Sequence, residues 1–251
     1  MATSPVRMPA GINNVNYTVS PLGAAGESNY NGARNSHPLF MFPQQDPFRL
    51  VYNGTDFCDV PNAASYVTTV VGTGAATYPT AIGGILQLTT SAGATDSVAW
   101  QHSSADMAYS PTQQGWFHTL LTPSDATAAE YIIGMLNSTT TPGSATDGIY
   151  FHKPSGATAI DLVFKNASVV TTIANIGNMA NATAIKLSLY YDGRGTLNYY
   201  INNNKVGFTT NTAAFPLPTV ALTSSFYILN AAAAVKNVQV DYYLAATELV
   251  R

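Results

Sequence analysis

Three glutamates, ten aspartates, four histidines and one cysteine are what this chain offers for acid–base, nucleophilic or metal chemistry. A two-carboxylate polysaccharide hydrolase needs a pair of acids about 5–9 Å apart, one to protonate the leaving oxygen and one to attack or activate water. Glu27 and Glu248 lie towards the chain ends, which leaves Glu130 alone in the middle. The aspartates fall mostly in turn-like text, "YNGTDFCDV", "TPSDA", "ATDGI" and "YYDGR", where an Asp side chain commonly bonds its own backbone. His37, His102, His118 and His152 show no ligand spacing, and neither His-Glu-x-x-His nor an Asp-rich calcium loop occurs. Cys58 can form no intrachain disulfide and reads as a small packed hydrophobe. These residues predict no enzyme, no metal and no cofactor.

Aromatic residues are more plentiful than reactive ones. Trp100 and Trp116 read as core, whereas the tyrosine pairs 190–191, 199–200 and 242–243 read as β-formers with one ring in and one ring out. Outward tyrosines can stack on sugar rings or line a protein interface. The candidate interaction surface is therefore Tyr190, Tyr200 and Tyr243, joined by Phe40 and Phe42 of the apolar cluster "PLFMFP".

The elements that must position these groups are strands. Charged residues make up 9% of the chain, against roughly 25% in an ordinary soluble domain. A net charge of -3 supplies no basic stripe for nucleic acid. Residues 1–50 mix Pro, Gly, Asn and Ser without a lasting period and read as an extended N-terminal arm. From residue 56 to 251 about a dozen short alternating runs follow, nearly all separated by Gly, Pro, Asn or Asp, as in an antiparallel sandwich or barrel. In "IKLSLYYDGRGTLNYYINNNKVG" the residues Ile185, Leu187, Leu189 and Tyr191 share one face, and Leu197, Tyr199 and Ile201 continue it. Asp192-Gly193-Arg194-Gly195 and the asparagines 202–204 supply the two turns. Short helical turns are expected only at "TPSDATAAEYI", capped by Ser124 or Asp125, and at the alanine run 231–234. The uncharged stretch 206–235 is interrupted by Pro216, Pro218, Asn211 and Asn230, so it predicts no membrane span. The opening "MATSPVRMPAG" has no apolar core of a signal peptide, so a protein made in a cytoplasm is expected.

In order along the chain, "GGILQLTT", "GWFHTLLTPSD", "EYIIGM", "DGIYFHK", the meander above and a closing "VQVDYYLA" resemble the concanavalin A-like (lectin, glucanase and laminin-G-type) jelly rolls. Their Gly-Thr-Ala loops are similar to versions found in tailed-bacteriophage virions. The resemblance covers residues 56–251 and implies two large antiparallel sheets, an all-β jelly-roll sandwich. It also implies a structural virion protein, most simply one that decorates the capsid by binding the major capsid protein or other virion proteins as a homo-oligomer, with a trimer suiting local three-fold axes. The alternative it implies is a module of a head or tail fibre that binds a host glycan or receptor. The glucanase pattern of Glu-x-Asp-x-x-Glu and the lectins' metal-binding Glu-x-Asp are absent.

Overall fold

The computed structural model of the chain describes residues 50–248, apart from 59, 60, 62, 80–83, 106, 111, 138–140 and 214. Strands are numbered in chain order. One sheet contains β1 (Leu50–Thr55), β3 (Ala75–Thr77), β4 (Leu86–Thr89), β6 (Gly115–Pro123), β11 (Ile185–Tyr191), β12 (Thr196–Ile201), β13 (Asn204–Thr210) and β15 (Asn237–Glu248). Facing it is a sheet of β2 (Tyr66–Val71), β5 (Ser97–His102), β7 (Ala129–Leu136), β8 (Gly148–Lys153), β9 (Ala159–Asn166), β10 (Val169–Asn178) and β14 (Thr223–Asn230). The first runs β13-β12-β11-β6-β15-β4-β3, and the second runs β10-β9-β8-β7-β14-β5-β2. Every ladder is antiparallel, so the described residues form an all-β, two-sheet sandwich.

The meander forms as its pattern predicts. Leu187, Leu189, Tyr191 and Leu197 face the core. Asp192 accepts the N–H groups of Arg194 (2.7 Å) and Thr196 (2.9 Å) on Oδ1, while Gly193 and Gly195 take positive φ. Asn202 and Asn203 adopt the left-handed region in the next turn.

Between the sheets lies one large apolar core built around Trp100, Phe117, Phe151, Phe164 and Phe226. A second, smaller buried cluster lies on the outer face of the seven-stranded sheet and includes Ile132, Leu136, Tyr150, Val163 and Tyr227. Period-2 alternation explains the split, because neighbouring residues point to opposite faces. On β7, Tyr131, Ile133 and Met135 enter the main core while Ile132 and Leu136 enter the outer cluster.

Several elements differ from expectation. The alternating runs of the sequence include neither β1 nor β3. β1 pairs with the last six residues of β15, while β4 pairs with the start of that long strand. Residues 124–128 form no helical turn, since only five residues link β6 to β7 and Asp125 Oδ1 already takes the N–H groups of Thr127 and Ala128. The alanine run 231–234 is a bend, pinned by Asn230 Nδ2 donating to the carbonyl of Ala234 at 2.6 Å. Cys58 is exposed rather than packed; its neighbour Phe57 occupies the core place.

Candidate functional site

The outer face of the seven-stranded sheet brings Glu130, His152 and Asp161 together. Registers align Ala99, Tyr227, Ile132, His152 and Asp161 in one row across five strands, β5, β14, β7, β8 and β9. The adjoining row holds Ser97, Leu229 and Glu130. His152 Nε2 lies 3.1 Å from Glu130 Oε1, and both side chains keep about a quarter of their surface exposed (27% and 24%). On the other side of His152, Asp161 is its direct cross-strand partner. Asp161 Oδ1 accepts the N–H of Asn175 at 2.8 Å, which sits with positive φ in an irregular stretch of β10. β7 and β9 are two strand spacings apart, roughly 10 Å. The imidazole thus stands between two carboxylates that the sequence separates by thirty-one positions.

Two phenols form the floor behind this trio. Tyr150 is buried, its ring edge-on to His152 at 6.5 Å between centroids. Burial pushes its hydroxyl up to about 12, and the charge of Glu130 pushes in the same direction. Tyr227 is raised for the same two reasons, against an opposing hydrogen bond with Ser97. Gly134 makes room beside Tyr150, since a Cβ there would come within 2.6 Å of the Tyr150 Cα. The far end of the face is covered. The β7–β8 loop folds back so that Ala145 joins the outer cluster, and Lys165 Nζ donates to the carbonyls of Gly143 (3.1 Å) and Ala145 (2.9 Å). Glu130, His152 and Asp161 stand at the opposite end of their strands, where the side chains of Glu130 and His152 are partly exposed among the described residues.

Beneath this end, on the core side, Lys153 is fully buried and donates to the carbonyls of Ala126 (2.9 Å) and Thr127 (3.4 Å). Burial lowers its amine to about 8, although Asp125 and Glu130 pull the other way. Asp125 holds Lys236 Nζ at 2.6 Å, and that bond, followed by the N–H of Ala128, brings its carboxyl to about 2. Among the described residues, no three His, Cys, Asp or Glu are gathered closely enough to hold a metal ion.

The tyrosines singled out from the sequence lie elsewhere. Tyr243 belongs to the main core, bonded to Asn53 and Tyr66, because a register shift between Val240 and Tyr242 turns Tyr242 outward and Tyr243 inward. Tyr200 sits on the outer face of the eight-stranded sheet but is buried. Tyr190 is half-buried there, donating to Gln114 Oε1 at 2.9 Å with its ring 5.7 Å from Trp116. Phe40 and Phe42 lie outside the described residues. Trp100 is core, whereas Trp116 is buried on the outer face. On that face His118 bonds Ser188 through Nδ1 and meets the Tyr242 hydroxyl at 2.8 Å through Nε2. Ser188 has no exposed surface, so this Ser–His contact serves packing. Glu130 and His152 were visible in the sequence, but twenty-two positions separate them, and only strand pairing joins them.

No family model matches the chain, and no curated protein matches it. Solved structures do. Peanut lectin is 12% identical, covering 80% of this chain and 99% of its own, with a TM-score of 0.56. An endo-1,3-β-glucanase from Streptomyces sioyaensis is 11% identical, covering 83% and 100%, at 0.57. A β-1,3-1,4-glucanase (lichenase) from a mouse hindgut metagenome is 10% identical, covering 78% and 98%, also at 0.57. The fold is the concanavalin A-like jelly roll that the sequence resembles. The expectation of a non-enzyme is corrected by these neighbours, since glucanases share the scaffold. It rested on acids that look scattered along the chain, whereas Glu130 and Asp161 share one sheet face.

Proposed function

We propose that this chain is a carbohydrate-binding jelly roll that holds a glycan along the outer face of its seven-stranded sheet. The observation that carries the reading is the placement of His152 between Glu130 and Asp161 at the partly exposed end of that face, beside buried Tyr150 and Tyr227. Hydroxyl-rich ligands need convergent acceptors and donors on a preformed, largely apolar floor, and this face combines the two. The lectin and the glucanases that share the fold support the same class of ligand. Affinity electrophoresis of the purified chain through gels containing soluble polysaccharides tests it. Retardation by at least one polysaccharide, lost in His152→Ala, is expected; free migration through all of them overturns the reading.

A second reading places the same molecule on a tailed-bacteriophage virion, as a decoration protein bound to the major capsid protein of the head surface. Its support is the resemblance to virion jelly rolls, the low charge and the apolar residues on two edge strands. β10 exposes Val169 and Val170, and β13 exposes Val206 and Phe208. Edge strands offer unpaired backbone groups to a neighbour, and repeated weak contacts across a shell add up by avidity. Co-sedimentation with purified particles tests this placement, and absence from the particle pellet overturns it.

A further inference from the structure

β2 is an edge strand of the seven-stranded sheet. Its six residues, Tyr66–Val71, pair with β5 without a register shift and include no charge, glycine or proline. Folded proteins guard open edges with charges, bulges or very short strands, and the other strands that end the two sheet orders are guarded in these ways. β13 carries Lys205 and meets a register shift at Tyr199 and Tyr200. β10 is interrupted between Ile173 and Gly177, and β3 is three residues long. β2 has none of these devices, and it exposes Val67 (50%), Val70 (37%) and Val71 (52%).

The edge is also self-complementary. Tyr66, Thr68 and Val70 pair with His102, Trp100 and Val98 and point to the core side, where the Tyr66 ring stacks on Trp100 at 4.2 Å. Val67, Thr69 and Val71 therefore lie on the outer face, and Thr69 extends the row of Ala99, Tyr227, Ile132 and His152. The Ser103 N–H donates to the Ser65 carbonyl at 2.8 Å. Backbone groups alternate along a strand, so residues 65, 67, 69 and 71 bond towards β5, while the N–H and C=O groups of Tyr66, Thr68 and Val70 point to the open edge. A two-fold axis perpendicular to the sheet at Thr69 would set Thr68 opposite the partner's Val70, where those groups meet as a hydrogen-bonded pair. It would set Val67 opposite the partner's Val71 in a non-hydrogen-bonded pair, the kind in which side chains approach more closely. Each pair occurs twice, and no like charges meet.

We propose that β2 is a homotypic interface, through which two copies of this chain pair edge to edge about a two-fold axis at Thr69. Their two seven-stranded sheets then merge into one of fourteen strands. The isologous symmetry is that of the commonest closed oligomer, and it leaves the outer faces of both copies on the same side. The two His152 residues stand nine strand spacings apart, roughly 43 Å. The dimer does not rest on the glycan reading of that face, and its test uses no glycan.

Sedimentation equilibrium of the full chain is expected to show a two-chain mass, with a dissociation constant on the order of 10 μM for so narrow a contact. Val67→Lys combined with Val71→Lys places like charges opposite each other and should raise that constant at least about tenfold. Val67→Lys combined with Val71→Glu makes both pairs oppositely charged and should restore the two-chain mass. Melting curves at low concentration check that both variants fold. Thr69→Cys in a Cys58→Ser background gives a second readout. Non-hydrogen-bonded partners lie about 4.5 Å apart at Cα, within the reach of a disulfide, so oxidised glutathione should link two chains through this position. A single-chain mass of the parent at concentrations on the order of 100 μM overturns the proposal, as does a two-chain mass that the paired lysines leave unchanged or that Thr69→Cys fails to cross-link. Slow hydrogen exchange at Thr68 and Val70 in a parent of single-chain mass also overturns it, since another segment of the same chain would then cover the edge.

Discussion

His152 and Asp161 stand directly opposite each other on β8 and β9, and on its other side the same imidazole meets Glu130 at 3.1 Å. Three groups that could move or hold a proton are thus set across three neighbouring strands of a rigid sheet. Sites built on strands hold their geometry better than sites on loops, which is why this trio, rather than any loop, carries the functional reading.

Removing the imidazole separates binding from stability. The Glu130–His152 pair is partly exposed, and such pairs contribute about 0.2–1 kcal/mol. His152→Ala is expected to abolish polysaccharide retardation while moving the melting temperature by only a few degrees. A fall of the kind produced by core truncation would instead make His152 a structural residue.

Gly134 tests the floor beneath the site. A Cβ there meets the Ile149 carbonyl oxygen and the Tyr150 Cα, each at 2.6 Å, and both are backbone atoms that cannot rotate away. Gly134→Ala should destabilise the fold by about 1–3 kcal/mol, read by denaturant titration. It should also weaken glycan binding, because β8 carries Tyr150 and His152 together.

Lys153 makes stability depend on alkaline pH. Its amine titrates near 8 in the folded chain against a usual 10.5, burial being the main cause. Between those values the unfolded chain binds the extra proton, so stability rises with pH across that window. Lys153→Met removes this rise. Melting curves at pH 7.5 and 9.5 for both proteins should show a gain in the parent protein that the variant lacks.

Asp125 acts at the acid end. Its carboxyl titrates near 2 in the folded chain, held down by Lys236. The folded form binds fewer protons than the unfolded one below about pH 4, so this stabilisation is complete above that point and is lost as pH falls towards 2. Because the pair is partly solvated, Lys236→Met should cost about 1 kcal/mol at neutral pH. The difference between parent and variant should vanish near pH 2.

The sequence alone determined the class of fold. Short alternating runs with Gly, Asn and Asp between them can bury one face only as antiparallel strands. Asp192-Gly193-Arg194-Gly195 and Asn202-Asn203 encode their turns locally through side-chain acceptors and tolerance of positive φ. Neighbouring residues fix such features, so they are legible without coordinates. Tertiary structure decided what faces what. Tyr243 turns inward because of one irregularity in β15, Tyr200 is buried on a face that alternation marks as outer, and β1 is a strand only because β15 offers it a partner. Glu130, His152 and Asp161 become a site through the registers of β7, β8 and β9. Cross-strand pairing is set by the burial of whole sheets and not by local sequence, so no spacing along the chain could announce that these three groups meet.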